Sequence, residues 1–146
     1  MVVKTYKNVL LAVDGSDNNV VAVKDAVCIA KAMNAKLTAM YVMAGAALKP
    51  NAFGGDVSAS ERADIAQKGA EEAFKVVKSY SEKAGIGLET VAVNGIPAAE
   101  LVKASENYDL LVCGSLGSGG LSKVLVGSVS KELVKNAKCP VLVCRP

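Results

Sequence analysis

Positions 8–13 read NVLLAV, and after the leading asparagine every residue is apolar. LLVCG at 110–114 and VLVC at 141–144 repeat the pattern, without the alternation of a strand wetted on one face. Continuous apolar runs of this length suit a parallel sheet covered on both sides. Runs at 36–43 and 88–93 complete a set of five predicted strands, the last taken as 141–145. Helical spacing fills the intervals. After Asp14-Gly15-Ser16-Asp17, where Ser16 and Asp17 are good N-cap candidates, Val23, Ala26, Val27, Ile29, Ala30 and Met33 form one stripe. Ser58-Ala59-Ser60-Glu61 has capping-box spacing and opens a second helix. That helix carries Ala66, Ala70, Ala73, Val77, Tyr80 and Ala84 on one face and stops at Gly85. Pro97 suits the first turn of a third, with Leu101 and Val102 inward. A fourth is expected from about Ser128 to Asn136, with Val129, Leu133 and Val134 inward. The order βαβαβαβαβ predicts an α/β fold, an open parallel five-stranded sheet with helices on both faces.

The chain has 146 residues, enough for one domain over 1–146, and 51% of them are hydrophobic. Four Tyr, two Phe and no Trp leave the core to small aliphatic groups. The net charge of +3 comes from lysines spread singly, not gathered to follow a phosphate backbone, so no nucleic-acid partner is expected. The apolar stretch 9–13 is shorter than a signal h-region or a membrane span, which predicts a soluble, cytoplasmic protein with no membrane partner. Cys28, Cys113, Cys139 and Cys144 form no C-x-x-C pair, and histidine is absent, so the usual zinc spacings cannot be built. Buried, reduced thiols are expected among their Val, Leu, Ile and Ala neighbours. The connection AGAALKPNAFGGDV at 44–57 is longer than most α/β loops and reads as a mobile loop or a lid.

Ligands of open parallel sheets sit beyond the carboxyl ends of the strands, where strand order reverses. If strands two and three lie on one side of strand one, and four and five on the other, the order is 3-2-1-4-5 and the reversal falls between strands one and four. Strand one ends at Asp14 and strand four at Gly114, where CGSLGSGGLSKVLVGS begins. Gly114, Gly117, Gly127 and Ser128 then read as a phosphate cradle, because glycine lets main-chain N–H groups approach an anion and a helix N-terminus favours it. On the glycines alone, a plain loop with Ser128 as an N-cap is the favoured alternative. Asp14 either caps the next helix or contacts ligand; Ser16 or Asp17 can cap, which leaves Asp14 for the ligand. Lys123 is either a phosphate partner or solvated surface. No Walker A loop is present, and G-x-G-x-x-G fails at Ser122.

G-x-x-G, nine residues, then G-[ST] does match, at Gly114, Gly117, Gly127 and Ser128. With this motif, VLLAVDGS near the start and KCPVLVCRP at the end, the chain resembles the universal stress protein family along its whole length, and within it the ATP-binding branch. The resemblance implies a Rossmann-like, adenine nucleotide alpha hydrolase-like fold. It also implies a site in which Ala12 and Val13 line the adenine side and the Val42 backbone meets the adenine edge. Asp14 would contact the ribose or a phosphate-bound Mg2+ or Mn2+. Cys113 and Gly114 would begin the pocket, Gly117 would approach the phosphates, and Gly127, Ser128 and Val129 would close around them. Tyr41 stands where many relatives have His, and Leu116 where Arg is common. The ligand is expected to be ATP, with ADP and AMP sharing its adenine contacts.

Without histidine, a Walker lysine or an evident arginine finger, binding is expected rather than turnover, and no catalytic residue is assigned. The function implied is a nucleotide-responsive regulatory or stress-response module, with an unidentified protein as a further partner. A constitutive dimeric interaction protein with a vestigial pocket and a slow metal-assisted ATPase are the alternatives. The apolar strand 141–145 at the sheet edge predicts a homodimer, as in relatives.

Overall fold

Val9, Leu10 and Leu11 are wholly buried in a computed structural model of the chain, which describes residues 4–43, 59–115 and 127–146. Neighbours in an extended chain point to opposite faces, so burying all three takes a cover on each side. The strands are β1 (Asn8–Val13), β2 (Lys36–Met43), β3 (Leu88–Asn94), β4 (Leu110–Gly114) and β5 (Val141–Cys144). All pair in parallel, in the order β3-β2-β1-β4-β5. The helices are α1 (Val20–Met33), α2 (Ala59–Ala84), α3 (Pro97–Ala104) and α4 (Ser128–Asn136). Val9, Leu11 and Val13 face one core with Val23, Ala26, Ala73 and Val77 of α1 and α2. Leu10 and Ala12 face the other, with Leu101 of α3 and Leu133 of α4. The fold is therefore the Rossmann-like doubly wound sheet that the alternating elements predict.

At the amino end of the sheet, Asp109 ties β1 to β4. Its Oδ2 accepts N–H groups from Lys7 and Asn8, both at 2.8 Å, and its own N–H goes to Asn8 O at 2.8 Å. Those two backbone donors, chiefly Asn8, hold its carboxyl below the ordinary carboxylate range.

Several expectations need correction. Strand three runs one residue further, to Asn94, and strand five stops at Cys144 because Arg145 makes no ladder pair with β4. Ser16 and Asp17 do not open α1 directly, because a 3-10 turn at Asp17–Asn19 intervenes and Ser16 makes no side-chain cap. Val129 and Val134 point outward, at 37% and 62% exposure, since α4 presents Ser130 and Leu133 to the core. Met33, at the end of α1, is exposed, and its sulfur accepts the Tyr6 N–H at 3.4 Å. Cys28 is exposed, turned away from the inward face of α1 that carries Val27 and Ala30. Ser58, the connection 44–57, Leu116, Gly117 and Lys123 lie outside the described residues.

Candidate functional site

The sheet opens at one place. Between β1 and β4 the register runs Val9↔Leu110, Leu10↔Leu111, Leu11↔Val112 and stops, although β1 continues to Val13 and β4 to Gly114. On their far sides both strands stay paired to the end, Val13 with Tyr41 and Gly114 with Cys144. The seam therefore splits at its carboxyl end only, at the reversal of strand order where such folds take ligands.

One lip is the turn after β1. The buried Asn19 reaches back and donates Nδ2–H to Ala12 O at 3.1 Å, fixing the end of the strand under the turn. Asp14 is exposed, and its Oδ1 accepts both the N–H (2.8 Å) and the hydroxyl (2.7 Å) of Ser16. That Asx turn holds the carboxylate in place and leaves Oδ2 without a partner among the described residues. Gly15 takes φ +78°, a left-handed conformation that an L side chain rarely adopts, and so lets the chain turn over α2. A Cβ there would touch Ala73 Cβ at 3.7 Å. Tyr41 packs edge-on against Phe74, with ring centroids 6.4 Å apart. Its phenol sits in a notch over Gly69, where a Cβ would lie 2.7 Å from the hydroxyl oxygen. Burial, with the nearby Asp14 charge second, raises the Tyr41 hydroxyl above its ordinary range.

The other lip is the start of α4. Ser115, next after β4, donates its N–H to Cys144 O at 2.9 Å and accepts the Gly127 N–H on its carbonyl. Gly114–Ser115 and Gly127–Ser128 thus meet, although residues 116–126 separate them. Gly127 precedes α4 in an extended conformation, and its carbonyl accepts the Lys131 N–H at 3.1 Å, the first bond of the helix. Since the Gly127 amide goes to Ser115, the N–H groups of the helix that lack a partner among the described residues are those of Ser128, Val129 and Ser130. Ser128 and Val129 are exposed; Ser130 is buried.

Ala12, Val13, Asp14, Val42, Cys113, Gly114, Gly127, Ser128 and Val129 all lie at the carboxyl end of the sheet. Cys113 is buried in the core and is not a reactive group, because burial pushes its thiol up to about 11. Among the described residues no cluster of three His, Cys, Asp or Glu could hold a metal ion. Sequence reasoning missed Asn19, Ser115 and Ser130. A polar residue at an inward helical position is the signal that marks Ser130, beside Leu133 on the same face of α4.

A model of the universal stress protein family matches residues 5–145. Universal stress protein MJ0531 of Methanocaldococcus jannaschii is 36% identical over 145 residues, covering 96% of this chain and 82% of that protein. The structure of UspA from Lactobacillus plantarum superposes with a TM-score of 0.81 at 28% identity, covering 98% of this chain and 100% of that one. A universal stress protein solved in complex with cAMP has a TM-score of 0.69 at 26% identity, over 97% of this chain and 98% of that one. With the family's model running almost from end to end and a relative more than a third identical over the same length, this chain belongs to the universal stress protein family.

Proposed function

We propose that the split end of the sheet binds an adenine nucleotide, ATP above all, and that the protein is a nucleotide-responsive regulatory or stress-response module. The observation that carries this reading is the seam between β1 and β4, with the Asp14 carboxylate on one lip and the unpartnered amides of α4 on the other. A helix N-terminus with free N–H groups favours phosphate, and a hydroxyl-accepting carboxylate suits ribose. That a similar protein was solved in complex with cAMP supports an adenine ligand.

In this reading Ala12 and Val13 flank the base and the Val42 backbone meets its edge. Cys113 and Gly114 form the wall behind the ribose, and Gly117 approaches the phosphates. Ser128 and Val129 donate their amides. Gly127, whose own N–H is donated to Ser115, serves by letting the chain pass close to the phosphates. The donor set fits a divalent cation only as a companion of the nucleotide. Oδ2 of Asp14 offers one ligand, and Mg2+ or Mn2+ would take its remaining oxygens from phosphate and water.

Self-association belongs to the same proposal. β5 is the outer strand, its Val141, Leu142 and Val143 are only half-buried, and among the described residues its outer ladder edge has no strand partner and could take a second copy. The proposal also takes residues 1–146 as one domain in the cytoplasm, with a further protein as partner. No helix among the described residues is long and apolar enough to cross a membrane.

Calorimetry on nucleotide-stripped protein, with ATP, ADP, AMP and cAMP, with and without Mg2+, tests the site. Micromolar binding, about 8 kcal/mol, is expected, and it should vanish in Gly117→Val. Failure of all four nucleotides to bind would overturn the reading in favour of a constitutive dimeric interaction protein with a vestigial pocket.

A further inference from the structure

We propose that Ser130 is a positioning residue that sets how tightly the site grips the phosphoryl part of its ligand, an inference that rests on the nucleotide reading above. Ser130 lies in the first turn of α4 and is 2% exposed. A hydroxyl buried to this depth is costly unless it is hydrogen-bonded. Its Oγ lies 2.9 Å from Gly127 O and 3.4 Å from Ser115 O, so its single proton has two carbonyl acceptors, one on each side of the 116–126 segment. Ser115 O also takes the Gly127 N–H, and the Ser115 N–H is fixed to Cys144 O of β5. Ser130, Gly127 and Ser115 therefore form a closed knot whose far side is part of the sheet.

The position of this knot separates it from the rest of the helix. Leu133, wholly buried, holds the body of α4 on the core through apolar packing. Among the described residues the knot is what ties down the first turn, and the first turn carries the Ser128 and Val129 amides. Donors held in place before the ligand arrives bind an anion without a further ordering cost. Without the Ser130 hydroxyl, α4 stays docked by Leu133 and the Gly127 N–H stays on Ser115 O, but the leading amides lose the side-chain tie that holds them toward the mouth. Contacts to the base come from β1 and β2 on the opposite lip, which Ser130 does not touch. Its influence should fall on phosphate and leave adenosine alone.

The test uses Ser130→Ala and Ser130→Thr in the full chain. ATP and adenosine are titrated by NMR chemical shift, which also reads weak binding, and amide exchange at Gly127 is followed without ligand. Alanine is a good helix former, so the helix is retained. The expected result for Ser130→Ala is ATP affinity lower by about tenfold, adenosine affinity unchanged within about twofold, and faster exchange at Gly127. Ser130→Thr keeps the hydroxyl and should restore all three readings. ATP affinity unchanged in Ser130→Ala, ATP and adenosine weakened in parallel, or failure of Thr to rescue would each overturn the positioning role. If the parent protein binds neither compound, the nucleotide reading falls and takes this inference with it. Binding by the parent that Ser130→Ala leaves intact removes only the present inference.

Discussion

Cys113 and Cys144 sit back to back across the sheet, one in each core, and burial raises both thiols, to about 11 and about 12. For Cys144 a hydrogen bond with Asp25 adds to the burial. Since the thiolate is the nucleophile, neither should react in the native state. Cys28 is exposed, with Lys24 one turn before it and Lys31 one turn after. A maleimide followed by mass spectrometry should label Cys28 first and the half-buried Cys139 more slowly. Cys113 and Cys144 should be labelled only after denaturation. Labelling of Cys113 at the rate of Cys28 would refute the packing described for β4. Sequence neighbours misled on Cys28 because consecutive residues on a helix point about 100° apart. Val27 turns inward and Cys28 does not. Apolar company along the chain predicts burial in a strand buried on both faces, where Cys113 lies, and fails on a helix.

At the scale of elements, α2 packs beside β2 with Gly69 leaving room for the Tyr41 hydroxyl. A Cβ on Gly69 would sit 2.7 Å from the Tyr41 hydroxyl oxygen, but 3.5 Å from the ring carbon that bears it. Gly69→Ala gains about 1 kcal/mol in helix propensity and loses about 1 to 3 kcal/mol to overpacking, so a net loss is expected. Tyr41→Phe removes the oxygen, and in the Gly69→Ala background it should recover the stability. Chemical denaturation of the two single variants and the double variant measures the coupling. Additive effects would show that the notch does not constrain the helix.

Elements with long apolar stripes were legible from sequence; α4 was legible only in part. In a nine-residue helix Val129, Leu133 and Val134 make a plausible face, but the inward direction is set by Ser130, whose partner Ser115, just past the end of β4, lies fifteen residues away. The same holds for the site. Asp14, Gly114 and Gly127 announce themselves by residue type at strand and helix ends. Asn19 and Ser115 act through carbonyls whose proximity only the folded chain creates.

For the whole molecule, the parallel sheet followed from alternating elements and the two covers from unbroken apolar runs, while the place of the reversal, only a supposition from sequence, is what the structure supplies. What covers the β5 edge is a matter of assembly. The half-buried Val141, Leu142 and Val143 lead us to expect a dimer by light scattering at micromolar concentration, and a monomer would overturn that expectation. The register has a mechanical consequence of its own. β1 enters at the amino end in the middle of the sheet, and β5 leaves at the carboxyl end on its edge, with β4 pairing in parallel to both. A force drawn between Asn8 and Cys144 therefore runs along the strands and loads the β1·β4 and β4·β5 ladders in shear, so their hydrogen bonds must fail together instead of unzipping one by one. Single-molecule pulling through these two points should meet an abrupt rupture at high force. Prying from the open mouth, at Val13 and Gly114, should part the seam gradually from the end where it is already split.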